Sequence, residues 1–237
     1  ADGACGEPRC RRCWDTWGSA ELLLWWMKGT DMPPIVGTSP PGTIRDDASV
    51  VGTPGYSTLY GDERVGREIQ AGGRLTLGIW LDGTHNAGIG TRFYALDGSS
   101  EHFDQTSDGS TILGRPFYNV QLGREDALLA GYPGEFAGNI RVHYGNSLVG
   151  NDAYFRVMLE RSRLRRLDFI SGYQFLRMDD DLRINSTTDV IDQNSQIFGA
   201  RINVFDRFRG TNEFHGAMLG MQGTMARGNW SLTGLGK

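Results

Sequence analysis

The stretch Arg74-Leu75-Thr76-Leu77-Gly78-Ile79-Trp80-Leu81 alternates large apolar residues with mostly small or polar ones. Successive side chains of a β-strand point to opposite faces, so every second residue shares a face. The residues that share the apolar face are Leu75, Leu77, Ile79 and Leu81. The stretch therefore predicts a strand with one apolar and one polar face. A sheet of such strands must bury its apolar faces in a protein core or in lipid.

The same alternation recurs along most of the chain, and no long helical periodicity competes with it. The predicted strands cover residues 17–27, 72–82, 88–97, 138–146, 153–162, 166–178, 196–206, 212–223 and 229–237, with a weaker segment at 111–123. Polar turns are predicted at 97–110 and 179–188. The fold class indicated is all-β: an antiparallel up-and-down β-barrel of about ten strands, or part of a larger barrel.

The chain divides into a short leader and one domain. Residues 1–16 are predicted to be an irregular leader that contains the three cysteines, and residues 17–237 a single β-barrel domain. The segment 28–69 is rich in Pro, Gly and Thr and is predicted to be a long loop, because proline cannot donate to a β-ladder. Five of the eight prolines lie in it: Pro33, Pro34, Pro40, Pro41 and Pro54.

Composition excludes several classes of protein. A net charge of −4 argues against a dedicated nucleic-acid-binding protein. The apolar runs are far shorter than the ~20 residues that a helix needs to cross a bilayer, whereas a barrel strand needs only about 9–11 alternating residues. A start at Ala1-Asp2 is typical of a mature end left after export. A trimmed chain would look the same.

The apolar faces are predicted to point outward. The best sets are Leu75/Leu77/Ile79/Leu81, Ile140/Val142/Tyr144, Phe155/Val157/Leu159, Leu167/Phe169/Tyr173/Phe175 and Phe198/Ala200/Ile202/Val204. Alternation alone fits a soluble sandwich as well as a membrane barrel. Aromatic residues near strand ends and several strands of 10–13 residues favour the barrel.

The opposite faces are predicted to line a lumen. The candidate lumen-lining residues are Arg74, Arg92, Arg141, His143, Arg156, Glu160, Arg166, Asp168 and Arg201. Six arginines against two carboxylates would give an open pore a mild preference for anions. The alternative is that these charges pair across a narrow, plugged interior, because about ten strands are close to the size that side chains alone can fill.

Three smaller features of the sequence each have a functional and a non-functional explanation. Arg161, Arg163 and Arg165 flank a predicted tight turn, where they would bind lipid phosphates or simply be solvated. The weak calcium candidates are Asp179, Asp180 and Asp181, together with the acidic loop at 97–108, although acidic loops are usually only solvated. Cys5, Cys10 and Cys13 would provide one disulfide and an odd thiol in an exported protein. A zinc site is less favoured because no second Cys pair follows.

No catalytic motif is evident. A histidine and a serine four residues apart, His143 and Ser147, lie too far apart on a strand for nucleophilic catalysis. We therefore expect no enzymatic chemistry, no resident metal and no cofactor.

Five stretches resemble one known family. They are Ala20-ELLLWWMKGTDMPPIVGTSP-Pro41, Gly72-GRLTLGIWLDG-Thr84, Ile170-SGYQFLRMDDDLRI-Asn185, Phe205-DRFRGTNEFHGAMLG-Met221 and Asn229-WSLTGLGK. In order and spacing they are similar to the β-barrel porins of planctomycete-type bacteria. The double-Trp strand before the proline-rich loop is fairly specific, and so is the element Phe208-RGTNEFH-Gly216. The resemblance implies an outer-membrane barrel and supplies no catalytic residues.

Two functions from different classes follow. The first is an exported outer-membrane barrel, either a narrow porin-like channel or a structural envelope protein, with outer-membrane lipid and copies of itself or neighbouring envelope proteins as partners. The second is a secreted glycine-rich β-protein that assembles edge to edge into a layer or filament at the cell surface or outside it. Members of the resembled family generally continue beyond the final Gly-Lys. The barrel is therefore expected to close with about ten strands, to be a fragment, or to be completed by other chains.

Overall fold

The computed structural model describes residues 15–237, and within them it is built from strands with one short 3₁₀ turn at Arg45–Asp47. This confirms the predicted all-β class. The strands are β1 (Thr16–Trp26), β2 (Thr30–Met32), β3 (Val36–Thr38), β4 (Ser57–Tyr60), β5 (Glu63–Val65), β6 (Ile69–Trp80), β7 (Ala87–Leu96), β8 (Ser100–Ser107), β9 (Leu113–Asn119), β10 (Arg124–Gly131), β11 (Phe136–Arg161), β12 (Arg165–Val190), β13 (Arg201–Arg227) and β14 (Trp230–Gly236). No helix among the described residues is long and apolar enough to cross a membrane.

The main sheet is antiparallel throughout. Its strands follow the order β1-β6-β7-β11-β12-β13-β14, and β8 pairs with the half of β11 that β7 leaves free. The sheet curls into a half-barrel. The turns β6–β7, β11–β12 and β13–β14 lie at one end, which we call the turn end, because the intervening strands alternate in direction.

Three strands are much longer than the sequence predicts. β11 has 26 residues, β12 26 and β13 27, so the predicted strands 138–146 and 153–162 are one strand, and 196–206 and 212–223 largely form another. The predicted turn at 179–188 lies inside β12, and the predicted turn at 97–110 contains β8. A strand that continues without a break keeps its alternation, so both halves share one set of faces.

Each long strand has two parts. The proximal half of the sheet, next to the turn end, comprises β1, β6, β7 and β14 with residues 148–161, 165–178 and 212–227. The distal half comprises β8 with residues 136–147, 179–190 and 201–211.

The inner face of the distal half is covered by a second layer. This layer is the four-stranded sheet β10-β9-β3-β4 together with the β2–β5 hairpin. The buried cluster between the two layers contains Met32, Val36, Tyr60, Val65, Leu113, Ala130, Ile140, Val142, Tyr144 and Ile184. Four of these residues come from segment 28–69, so the predicted long loop contains four short strands and contributes side chains to the core.

This core reverses one prediction. Ile140, Val142 and Tyr144 are buried, at most 3 % exposed, and face inward rather than toward lipid. Ile202 and Val204 likewise share the inner face of β13, as the pairing with β12 shows. The reason is the uninterrupted alternation of the long strands, since Phe155 and Val157 already occupy the outer face of β11.

The outer face of the proximal half is apolar across all seven strands. No Asp, Glu, Lys or Arg lies on this face between the described positions Thr16 and Trp26, Ile69 and Ile79, Ala87 and Ala95, or Val149 and Leu159, and the same holds for 167–175, 215–225 and 230–236. Its large exposed side chains include Leu22, Leu77, Phe93, Phe155, Tyr173, Leu219 and Leu232. We call this surface the apolar band.

The outer face of the distal half is charged. Asp181 accepts from Arg183, Arg207 and Arg209 at 2.5–2.9 Å, and Asp189 pairs with Arg201 at 2.6 Å. The arginines around Asp181 hold the pKa of this carboxyl well below its usual range. Cross-strand ion pairing thus explains why an Asp-rich stretch that is typical of a turn lies within a strand instead.

The sheet has two open edges. Along a path of seven antiparallel strands the first and the last, β1 and β14, run in the same direction, and they do not pair with each other. They nevertheless approach one another, because Trp17 of β1 and Leu235 of β14 pack against the same inner cluster. β14 pairs with β13 only at 221–227, so the rest of that β13 edge lacks a β14 partner in the described chain.

Glycines on the inner face make room for aromatic rings. A Cβ at Gly78 would lie 2.1 Å from the Trp17 ring, and a Cβ at Gly150 would lie 2.2 Å from the Tyr94 ring. Both rings lie over the backbone of a paired neighbouring strand, where any larger residue would collide with them. Close packing of rings on glycine therefore accounts for part of the high glycine content.

We expect Gly150→Ala to destabilise the fold by about 1–3 kcal/mol, because the added methyl overpacks against Tyr94. The matched control is Gly73→Ala on the outer face of β6, where a Cβ meets nothing within 4 Å. Urea unfolding followed by tryptophan fluorescence in detergent measures both. Equal unfolding midpoints for the two variants would contradict the packing assigned to Tyr94.

Candidate functional site

The inner face of the proximal half carries charges, whereas the apolar band on its outer face contains no Asp, Glu, Lys or Arg. Five cationic side chains lie on it with three anionic ones: Arg74, Arg92, Arg156, Arg166 and Lys237 with Glu21, Asp152 and Asp168. Because strands alternate, each of these residues is separated by one position from the apolar band. The charges are therefore inside the curled sheet, and this inner face is the candidate functional site.

The first charge cluster lies next to the turn end. Asp168 is fully buried and accepts from Arg156 at 2.5 Å and from Arg166 at 2.8 Å. Arg166 also donates to the backbone carbonyl of His85 at 2.6 Å, which ties β12 to the β6–β7 turn. Both guanidinium groups lie over the ring of Trp80, 5.1 and 4.7 Å from its centroid. Such contacts compensate the loss of hydration that burial imposes on these ions.

The second cluster is centred on Asp152. This carboxylate is fully buried between Arg92, whose Nη1 is 3.3 Å away, and Lys237, whose Nζ is 2.5 Å away. The Arg92 guanidinium lies over the Tyr154 ring at 5.1 Å. Lys237 follows β14 and reaches across to β11, so this ion pair joins the last strand to the middle of the sheet.

Farther from the turn end, the interior becomes apolar. Arg74 donates to Glu21 across β1 and β6. Beyond this pair, Tyr94, Leu96 and Leu148 form a buried cluster that Leu23, Met27 and Leu176 contact. The covered inner face of the distal half follows. Side chains thus occupy the inner face along most of its length.

Among the described residues, a cavity lies between the two edges. It has a volume of about 610 Å³ and is lined from both β1 and β14, by Ser19 and Glu21 on one side and Thr233 and Lys237 on the other. Its remaining wall comes mainly from the charged and aromatic side chains of the central strands. A volume in this range holds a small organic molecule.

The predicted lumen-lining residues divide into two groups. Five lie on the inner face of the proximal half: Arg74, Arg92, Arg156, Arg166 and Asp168. The other four do not. Arg141 and Arg201 lie exposed, and His143 half-buried, on the charged outer face of the distal half, and Glu160 is exposed at a β-bulge beside the β11–β12 turn. The correction again follows from alternation, because Arg141 and His143 share the face of Phe155 along the single strand β11.

The acidic triplet does not converge on one point. Asp179 and Asp181 lie on the outer face, where Asp179 pairs with Arg177 at 2.8 Å. Asp180 lies on the inner face and accepts from the Tyr144 hydroxyl at 2.9 Å. Consecutive residues of a strand point in opposite directions, so these three carboxylates cannot share one calcium ion. Across the part of the chain that the structure describes, no three His, Cys, Asp or Glu side chains are grouped to hold a metal ion.

The arginines predicted to bind lipid phosphates lie at the turn end. Arg161 and Arg165 border the turn 162–164, Arg163 is in it, and all three are exposed. Arg161 donates to the backbone carbonyl of Thr84 at 3.0 Å, which links this turn to the β6–β7 turn. The predicted disulfide residues Cys5, Cys10 and Cys13 lie outside the described residues.

Three charged residues of the interior, Glu21, Asp152 and Lys237, are absent from the predicted lumen lining, although each alternates with apolar or small neighbours. Asp152 forms a cross-strand pair with Arg92, so knowledge of the β7–β11 register would have identified it. The sequence does not reveal this pair, because residues 147–152 have the composition of a break between two strands.

We expect Asp168→Asn to destabilise the protein by about 3–5 kcal/mol, because it leaves two buried arginines without their shared anion. The matched control is Asp104→Asn. Asp104 is exposed and pairs with Arg141 at 2.8 Å, so its loss should cost about 1 kcal/mol or less. Chemical unfolding in detergent compares the two. A cost for Asp168→Asn as small as that of the control would show that the cluster does not stabilise the interior.

The comparisons with known proteins agree with this architecture. The family model described as "Putative beta barrel porin-7 (BBP7)" matches residues 17–237. No curated protein and no solved structure matches the chain. The family match covers the main sheet from Trp17 onward and confirms the β-barrel porin family predicted from the sequence. The chain belongs to the beta barrel porin-7 family.

Proposed function

We propose that this chain is an outer-membrane β-barrel protein, acting as a narrow porin-like channel or as a structural protein of the cell envelope, without enzymatic chemistry. The observation that carries the proposal is the change of the outer face along single strands. On β12 and β13 this face is apolar from the turn end to Phe175 and His215, and it becomes charged at Arg177 and Glu213. Such a change is expected where a strand leaves lipid and enters water.

The dimensions of the apolar band support the proposal. On β11 the band extends from Val149 to Leu159, which is about 34 Å of extended strand. At the tilt of roughly 40–45° usual for membrane barrels, this corresponds to about 25 Å of height, the thickness of the apolar band of outer-membrane barrels. The exposed Leu and Phe side chains of the band would otherwise face water.

The interior favours a narrow passage over a wide one. Ion pairs and aromatic rings occupy the inner face of the proximal half, and the Tyr94 cluster and the second layer follow toward the distal half. A wide porin instead encloses a continuous aqueous channel. The excess of cationic over anionic side chains supports a preference for anions in whatever passage remains.

Lipid is the partner that this arrangement favours most. Arg161, Arg163 and Arg165 lie at the turn end beside exposed Leu164, at the border of the apolar band. We propose that they bind the phosphates of lipid headgroups, whose oxygens match the guanidinium fork. The open edges of β1 and β13 would pair with a further strand, from a copy of this chain or from another envelope protein.

The open edges also favour the second candidate function, a secreted protein that assembles edge to edge. In that case the apolar band would be covered by neighbouring subunits instead of lipid. The two candidates differ in what removes the apolar band from water, so a lipid-binding experiment separates them.

The experiment is flotation of the refolded protein with phosphatidylcholine vesicles on a density gradient. We expect the protein to float with the vesicles and Leu77→Arg to reduce its insertion, because an arginine on the lipid-facing surface is destabilising, by up to about 2–4 kcal/mol at the bilayer midplane. The matched control is Asn203→Arg, which adds the same charge to the exposed outer face of the distal half. Sedimentation as detergent-free particles, with no effect of Leu77→Arg on vesicle binding, would favour the edge-to-edge assembly.

Planar bilayers test the channel. We expect a conductance well below that of wide porins and reversal potentials that favour anions, because the inner face carries more cationic than anionic side chains. The reversal potential under a potassium chloride gradient measures the selectivity between the two ions. A cation preference would contradict the charge assignment, and a large steady conductance would contradict the filled interior.

A further inference from the structure

The cavity between β1 and β14 has the volume and the lining expected of a small-molecule binding site. Its volume of about 610 Å³ lies within the range of small-molecule sites in proteins. Residues from both open edges of the half-barrel and from its central strands line it, so a ligand there would contact the sheet from several directions. The site is separate from the turn-end arginines that we propose bind lipid.

Two arginines that line the cavity have donors with no acceptor. Nε of Arg156 and Nε of Arg74 are both buried and make no hydrogen bond in the described chain. Arg156 is only 9 % exposed, and its Nη2 already donates to Asp168. A buried cationic donor without a partner is costly. The two Nε atoms are enclosed by protein atoms, so an acceptor in the cavity would satisfy them once the side chains shift toward it.

The charges of the cavity wall define the sign of the ligand. Four cationic side chains line the cavity, Arg74, Arg92, Arg156 and Lys237. Glu21 lines it too, and the buried Asp152 and Asp168 pair with three of the cations from behind, so four cations against three carboxylates leave an excess of positive charge. The guanidinium groups offer several N–H donors in a planar fork, which suits a carboxylate, sulfonate or phosphate head.

Aromatic rings define the rest of the ligand. Trp17 and Tyr154 line the cavity, and the Arg156 guanidinium lies 5.7 Å from the Trp17 ring centroid. Leu235 adds an apolar side chain on the β14 side. The half-buried Trp17 ring offers an apolar surface against which a flat group can pack, whereas Tyr154 is buried beneath the Arg92 guanidinium.

From these observations we infer that the cavity binds a small organic anion, which places its anionic head on Arg74 and Arg156 and its apolar body against Trp17 and Leu235. The inference goes beyond the proposed function. It does not depend on it, because the cavity lies on the inner face of the sheet whether or not the protein forms a channel.

The test is isothermal titration of the purified protein in a neutral detergent with naphthalene-2-sulfonate. The matched probe is 2-naphthylmethylammonium, which has the same ring system and the opposite charge. We expect saturable binding of one sulfonate per chain, at least roughly tenfold tighter than the ammonium. Equal heats for the two probes, or no saturation with the sulfonate, would overturn the inference.

Two substitutions in the cavity should act in opposite directions. Arg74→Gln removes a donor for the anionic head and should weaken binding roughly tenfold, the effect of one charge-assisted hydrogen bond. Glu21→Gln removes the competing carboxylate and should tighten binding. The control Arg209→Gln removes the same charge from the outer face of the distal half and should leave affinity unchanged. Equal effects of Arg74→Gln and the control would overturn the site.

A third variant does not alter the ion pairs. Thr233 lines the cavity from the edge strand β14, where its hydroxyl is 3.2 Å from that of Thr224, and Thr233→Trp should fill part of the volume and block the sulfonate. Retained binding in this variant would contradict the location.

Competition with sodium sulfate tests whether the site prefers an organic or an inorganic anion. Displacement at equal concentration would identify an inorganic-anion site and overturn the organic ligand, whereas weak competition supports the aromatic contact.

Discussion

The structure depends on one constraint, the alternation of side chains along three strands of 26 or 27 residues. Apart from the β-bulge beside the β11–β12 turn, the alternation does not reset, so the face that is outside in the apolar band stays outside to the distal end. On that single face the chemistry changes from aliphatic and aromatic residues to cross-strand Arg–Asp pairs. The proximal half therefore presents a surface suited to lipid and the distal half a surface suited to water, within one continuous sheet.

The inner face reflects the same constraint. Each apolar residue of the outer band has inward-facing neighbours, and many of these are arginine, aspartate, tyrosine or glycine. Buried charges are tolerated there because Asp152 and Asp168 each contact two cationic groups, and aromatic rings cover the guanidinium planes. Glycines opposite Trp17 and Tyr94 let those rings lie flat on the backbone. The resulting interior is closely packed although many of its side chains are polar. A cavity lies between the two edge strands.

The sequence predicts the faces of a strand correctly where consecutive residues alternate clearly. It fails where the continuation of the strand depends on its pairing with a neighbouring strand. The stretch 74–81 alternates clearly, so its faces were assigned correctly, with Leu75 and Leu77 outside and Arg74 inside. The same pattern sufficed for the all-β class. The faces of 138–146 were reversed, because Gly145, Gly150 and the polar residues between them are typical of a turn. Only the pairing partners show that the strand continues there.

The structure of the charged stretches was predicted wrongly for a related reason. Asp179 to Asp181 have the composition of a solvated turn, yet Arg177, Arg183, Arg207 and Arg209 stabilise them within a sheet. The inward acids Glu21 and Asp152 were missed because each is single in an otherwise apolar or small context. In both cases the decisive information is which residue lies opposite on the next strand, and one sequence without pairing does not contain it.

The most direct measurement is the accessibility of spin labels along the outer face of β11 in lipid vesicles. Single cysteines would replace Asn139, His143, Ala153 and Val157 in turn, all on that face. The native thiols would first be changed to serine, at Cys5, Cys10 and Cys13. The account predicts that labels at 153 and 157 are relaxed by oxygen dissolved in lipid, and that labels at 139 and 143 are relaxed by a water-soluble nickel complex. Nickel access at all four positions would contradict a membrane-spanning proximal half.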